Sequence, residues 1–275
     1  MTTTEPPSSP HAAHSIVIEA ATKRFTLRHA RSIREISIRA LRRRPLSDTF
    51  NAVDGVDLTV DTGSTVALLG LNGSGKSTLL KLISGVMTPD SGRVRVRGRV
   101  AGLIDVGAGL HPELTGRENV YLNGAILGMG KEEIGRKFDA IVDFAETEAF
   151  LDTPVKFYSA GMFMRLGFSI AVHTEPDVFL IDEVMAVGDP LFRRKCRQKL
   201  MELRHGGLTM VIVAHDLPLL RDLCRRGIVL SEGRVVFDGP MEQAADLLLE
   251  QRRNRQLRTA GSRLAAQPTQ PTTST

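Results

Sequence analysis

Two hydrophobic periods alternate along this chain, and the places where one gives way to the other mark its elements. Ser15-Ile-Val-Ile-Glu-Ala20 predicts a first strand, closed by Lys23-Arg24-Phe25. Val53-Asp-Gly-Val-Asp-Leu-Thr-Val60 predicts a second, followed by the turn Asp61-Thr-Gly63 and a buried strand, Thr65-Val-Ala-Leu-Leu69. A helix is expected from Ser77 to Ile83, stopped by Ser84-Gly85. After the turn Pro89-Asp-Ser-Gly92, Arg93-Val-Arg-Val-Arg97 alternates as a half-buried strand, and 99–106 predicts one more short strand.

From Gly107 onward the period lengthens. A capping-box pattern at Thr115-Gly-Arg-Glu118 precedes helical runs near 119–127 and 131–146. With the amphipathic helix expected over 163–172, these predict a helical subdomain over 107–170 that interrupts an α/β core. Two apolar strands come next: Pro176-Asp-Val-Phe-Leu-Ile-Asp-Glu183 ends in two carboxylates and Thr209-Met-Val-Ile-Val-Ala-His215 in a histidine. Paired strands over 227–230 and 234–237, joined by Ser231-Glu-Gly233, lead to a terminal helix over 241–251.

The stretch Gly70-Leu71-Asn72-Gly73-Ser74-Gly75-Lys76-Ser77-Thr78 fits the phosphate-binding pattern G-x-x-x-x-G-K-[ST], with a strand before it and a helix after it. Its glycines let consecutive N–H groups point into one concavity, where they and the helix N-terminus meet the charge of a polyphosphate. Lys76 would reach the outer phosphates, and the Ser77 hydroxyl would lie on Mg²⁺. Asp182, at a strand end, is placed to hold Mg²⁺ through water. Glu183 is placed to orient or deprotonate an attacking water. His215 could contact the γ-phosphate. Taken singly, an acidic pair or a histidine at a strand end is commonly structural; their order after a phosphate loop carries the functional reading. Phe25 could stack an adenine ring or belong to the core.

At 275 residues and 42% hydrophobic content, the chain has length for one α/β domain or two small ones. No apolar run approaches the roughly 18 residues of a membrane span. Met1 to Pro10 lacks the apolar core of a signal peptide, so a cytosolic location is expected. Cys196 and Cys224 lie outside any C-x-x-C pattern and read as reduced packing residues. Residues 1–15 are rich in Thr, Pro, Ser and Ala and predict a disordered tail, as does the basic, then Thr/Gln/Pro-rich stretch 251–275.

The net charge of +5 is unevenly placed. Residues 28–44 carry seven arginines against Glu35, and 252–275 carry five arginines and no acid; taking these eleven net charges out leaves the body at −6. A nucleic-acid-binding body is therefore not indicated. At 100° per residue, Ala30, Ile33, Ile36, Ala40 and Leu41 share one face of a helix, and Arg28, Arg31, Arg34, Arg39 and Arg42 the other. This basic amphipathic helix, ending before Pro45, could lie against anionic lipid, pack on a partner, or cover its own domain.

With these motifs in this order, residues 15 to about 250 resemble the ATP-binding subunit of ABC transporters. Gly70 to Thr78 is similar to Walker A, Tyr158-Ser-Ala-Gly-Met162 to the signature, Val178 to Glu183 to Walker B, Gly188-Asp189 to the D-loop and His215 to the switch histidine. The resemblance implies an α/β P-loop NTPase core over 16–250 with a helical subdomain and an antiparallel β subdomain. It implies that Phe25 stacks the adenine, and that two copies pack head to tail, each ATP held between one phosphate loop and Ser159, Ala160, Gly161 and Met162 of the other copy. Glu183 would then position the water and His215 hold the phosphate geometry.

The signature departs from the usual L-S-G-G-Q, and the lid position that is commonly Gln falls on Asp105. Both departures resemble one branch, the polysaccharide and teichoic-acid exporters, whose lid residue is usually acidic; Asp105 joins Ser77 and Asp182 as a Mg²⁺ candidate on that basis. Gly107 to Asn119 and Asp182 to Asp189 with Phe192 resemble the same branch, as does a helical insertion at 26–50. The branch implies ATP-driven export of a lipid-linked polymer through a separate permease at the cytoplasmic face of the membrane. The alternative is a soluble ABC-type ATPase or a regulatory nucleotide-binding module.

Overall fold

Strand β3 (Thr65–Gly70) is covered on both faces, which is why its sequence reads as one apolar run rather than an alternation. In the computed structural model, which describes residues 14–28, 47–103, 109–182, 189–214 and 216–265, β3 lies inside a six-stranded sheet. Its parallel members are β3, β5 (Val100–Leu103), β6 (Val178–Asp182), β7 (Thr209–Val213) and β8 (Arg226–Ser231), and β9 (Arg234–Pro240) is an antiparallel edge. The order is β5-β6-β7-β3-β8-β9. A second, antiparallel sheet sets β1 (His14–Arg28) between β2 (Ser47–Asp61) and β4 (Ser91–Val96).

Alternation along β3 sorts the interior into two cores. Val66 and Leu68 face Ile16, Ile18 and Leu58 of the antiparallel sheet and Leu79 and Ile83 of α1 (Lys76–Ile83). Ala67 and Leu69 face the other way, toward Phe192 and Leu200 of α5 (Pro190–His205), Leu220 of α6 (Leu217–Leu223) and Leu248 of α7 (Met241–Ala265). A third core, built on Val120, Ile134, Ile141 and Leu166, joins α2 (Gly116–Ile126), α3 (Lys131–Ala145) and α4 (Ala160–Val172) into the helical subdomain.

The predicted capping box is present: the Thr115 side chain accepts from Glu118 N–H, and the Glu118 carboxylate accepts from Thr115 N–H at 2.9 Å. Arg99 ties this subdomain to the sheet, donating to Gly128 O at 3.0 Å, to Glu133 and to Glu175 O at 2.8 Å.

Three expectations are corrected. The stretch expected to be a helical insertion over 26–50 begins and ends as strand, with Thr26 opposite Thr49 and Arg28 opposite Ser47. The β-favouring Phe25, Thr26, Thr49 and Phe50 carry the β1–β2 pairing into both ends of that stretch, as far as Arg28 and Ser47. Residues 29–46, and so nearly all of the arginine helix, lie outside the described residues. Helix α4 starts at Ala160, not Phe163, because Ser159 caps it and Gly161 is tolerated in a first turn. Helix α7 runs to Ala265 instead of giving way to a disordered tail near Gln251. Arg, Gln, Leu and Ala are good helix formers, and a helix already anchored extends without a new nucleus. The tail expected at the start lies outside the described residues up to residue 13; 266–275 do as well.

Candidate functional site

The phosphate loop leaves β3 at Gly70, whose φ of 149° is open to few side chains; a Cβ there would lie 2.4 Å from Leu230 O. It ends at Gly75, φ 105°, the N-cap of α1, where a Cβ would lie 2.2 Å from Ala52 O. Between them Ser74 N–H donates to Leu71 O at 3.1 Å, and Ser74 O accepts from Gly233 N–H at 3.0 Å. Gly233 O in turn accepts from Asp54 N–H at 2.9 Å. The loop is thus braced from outside by β2 and by the β8–β9 turn, two contacts that no local pattern in the sequence announces.

Lys76 is buried, and its Nζ donates to Gly70 O at 2.9 Å and to Leu71 O at 3.1 Å, holding the ammonium across the mouth of the loop. Asn72, Gly73 and Ser77 are exposed and Thr78 is half-buried. Among the described residues no side chain caps the N-terminus of α1, so the N–H groups of its first turn are not spent on such a cap. Ser74 Oγ is buried with no hydrogen-bond partner among the described residues. A cationic Nζ, uncapped amides and an orphaned hydroxyl converge on the same turn. This donor set fits a polyphosphate.

The other candidates gather at one edge of the sheet. Because β3, β5, β6 and β7 are parallel, they all end on the side where the loop begins. Asp182 ends β6, opposite Val213 of β7, and is half-buried. Glu183, His215 and Asp105 lie outside the described residues, each within two residues of the end of β6, β7 or β5. Phe25 is half-buried on β1, and its ring stacks on Phe50 of β2 with centroids 5.8 Å apart.

The ABC transporter family profile matches residues 53–186. The O-antigen export system ATP-binding protein RfbB of Klebsiella pneumoniae is 42% identical over 198 residues, which cover 72% of this chain and 80% of that protein. The chain belongs to the ABC transporter family. The teichoic acids export ATP-binding protein TagH of Enterococcus faecalis is 45% identical over 178 residues, 65% of this chain and 40% of that protein. Of two further curated relatives the chain spans 62% and 56% of the length. Among solved structures, a dimeric post-hydrolysis ATP-binding cassette bound to ADP and Pi shares the fold, with a TM-score of 0.67 at 23% identity over 82% of this chain and 98% of that one.

In this ABC cassette the signature turn opens α4. Ser159 Oγ accepts from Met162 N–H at 3.2 Å, and Ser159 and Ala160 are exposed while Gly161 and Met162 are half-buried. Tyr158, just before it, is buried and donates its hydroxyl to Phe150 O at 2.8 Å; burial holds that phenol above its usual pKa. One turn and a half into α4, Arg165 reaches Glu146 at 2.8 Å and the carboxylate of Asp189, and its guanidinium lies 4.9 Å from the Phe192 ring centroid.

Asp189 caps α5 by accepting from Leu191 and Phe192 N–H groups, and those bonds, the one from Phe192 foremost, hold its carboxyl below the usual range with help from Arg165. Sequence reasoning named Asp189 but not Arg165, whose one signal is to be the lone charge in the apolar run 163–172. It also missed Asn119, fully buried, which accepts from His111 N–H at 2.6 Å and whose amide reaches the His111, Leu114 and Thr115 carbonyls.

Proposed function

We propose that this chain is the ATP-hydrolysing subunit of an ABC transporter that powers export of a lipid-linked polysaccharide or teichoic-acid-like polymer through a separate transmembrane permease. The observation that carries the reading is the braced phosphate loop, with Lys76 Nζ held across its mouth and α1 left uncapped, in a chain so close to export ATP-binding proteins.

Lys76 and the loop amides from Gly70 to Thr78 bind the phosphates, and Phe25 takes the base. Ser77, Asp182 and, from the lid, Asp105 are the residues that would hold Mg²⁺, which supplies charge neutralisation at the phosphates. Glu183 positions the attacking water and accepts its proton; His215 fixes the terminal phosphate. Two copies pack head to tail so that Ser159, Ala160, Gly161 and Met162 of one complete the site of the other. Ser159 and Ala160 are exposed, as that arrangement requires.

The subunit works at the cytoplasmic face of the membrane, bound through the permease. No described helix is long and apolar enough to cross a membrane. The arginine-rich stretch 28–44 meets anionic lipid or the membrane-side entrance for the polymer, and the acidic body makes nucleic acid no partner.

The test is a tagged pull-down from detergent-solubilised membranes with Glu183→Gln and ATP, beside ATPase assays of the wild type. Recovery of a multi-span permease, with ATPase activity that Glu183→Gln abolishes, is expected. Recovery of soluble protein alone would overturn the transport assignment.

A further inference from the structure

Phe50 lies opposite Phe25 in the β1–β2 pairing. The two rings are stacked, 28° apart with centroids at 5.8 Å, and form one aromatic pair on this face of the ribbon. On the other side of the ribbon, by strand alternation, Arg24 Nε donates to Asn51 Oδ1 at 3.2 Å, so polar and aromatic pairs are segregated to opposite faces.

Phe50 remains 47% exposed, so the pair keeps an open aromatic surface. Two residues further along the same strand, about 7 Å at the usual strand rise, the Ala52 carbonyl abuts Gly75 at the N-terminus of α1. The exposed ring is therefore fixed to the backbone that braces the phosphate loop.

We propose that Phe50 and Phe25 together form a two-ring platform for the purine base of the nucleotide, Phe50 being the residue that favours a bicyclic base over a single ring. The proposal rests on the reading of the loop as a nucleotide site with Phe25 at the base. A base stacks through its π-face, and the larger the aromatic surface beneath it the more of a purine is covered. A single phenyl covers about as much as a pyrimidine presents; a second ring beside it adds aromatic contact that only the larger bicycle can use. A purely structural pair, stapling the β1–β2 ribbon, would contribute to folding and be indifferent to the base.

Binding of MgATP and MgUTP to the full chain, measured by calorimetry, separates these roles, because the two ligands share ribose and triphosphate. Phe50→Ala and the bulk-retaining Phe50→Leu are each expected to weaken ATP binding by roughly three- to tenfold and UTP binding less, while Phe50→Tyr restores the ATP preference. Thermal unfolding of Phe50→Leu confirms that the folded protein is being compared. Unchanged ATP affinity in both variants, or equal losses for ATP and UTP, would overturn the platform and leave a structural staple. A wild type that binds neither nucleotide would overturn it together with the nucleotide reading, an outcome distinct from the other two.

Discussion

Arg165 donates to the Asp189 carboxylate, so one guanidinium ties the helix behind the signature turn to the residue that caps α5. The same group lies against Phe192 and pairs with Glu146, which also accepts from Lys195 at 3.0 Å. The helical subdomain and α5 therefore share a charged joint. Arg165→Ala is expected to lower kcat for ATP hydrolysis by about tenfold while ATP affinity in a binding assay stays within about twofold. Equal losses in both quantities would mean that the joint only supports folding.

Gly116 opens α2 where a Cβ would lie 2.2 Å from the Tyr158 hydroxyl oxygen. Gly116→Ala should expel that hydroxyl from its bond to Phe150 O and destabilise the protein by roughly 2 kcal/mol. Tyr158→Phe alone should cost about 1 kcal/mol. Because the phenyl leaves room for the new methyl, the double variant should be more stable than the two losses added together, which urea unfolding of the four proteins will show.

Glu133 is held at a pKa of about 2, against an ordinary 4.5, first by Arg99 and then by Lys137. A depressed carboxylate contributes stability that is fully present above its unfolded pKa and is lost as pH falls through the folded one. The contribution should thus decline between about pH 5 and pH 2. Glu133→Gln should remove that acid slope and, the pair being partly exposed, cost about 1 kcal/mol at neutral pH. Unfolding midpoints across the acid range give the answer.

Cys196 and Cys224 are buried, and burial pushes both thiols up to about 12. Since the thiolate is the nucleophile, neither should react appreciably with iodoacetamide at pH 8 in the folded protein, and both should react once it is unfolded. Mass spectrometry of the alkylated protein counts the modified sites directly.

What the sequence made legible was local. The phosphate loop, the Thr115 capping box and the strand ending at Asp182 are each written in consecutive residues whose period or caps have one structural solution. What stayed hidden was made by distant pairing. The contact of Arg165 with Asp189, the reach of Arg99 into α3, and the bracing of Gly75 by Ala52 join residues that share no period. The misplaced boundaries have the same origin. Phe25 and Phe50 are strand residues because they face each other, and α7 continues past Gln251 because its first two turns are already anchored on Met241, Ala244 and Leu248. Glu183, His215 and Asp105 rest on the resemblance and on the direction of the strands that lead to them.

Strand β7 stands between β3 and β6, hydrogen-bonded to both. The phosphate loop and the Asp182 strand are consequently separated by two inter-strand spacings, about 9.5 Å, a length fixed by peptide geometry and not by any side chain. β7 acts as a ruler between the strand that opens into the Gly70–Thr78 loop and the strand that ends at Asp182. Apolar residues on either face of these strands can drift in identity without changing that gauge, whereas a bulge or a proline in β7 would alter it at once, with every contacting side chain still in place.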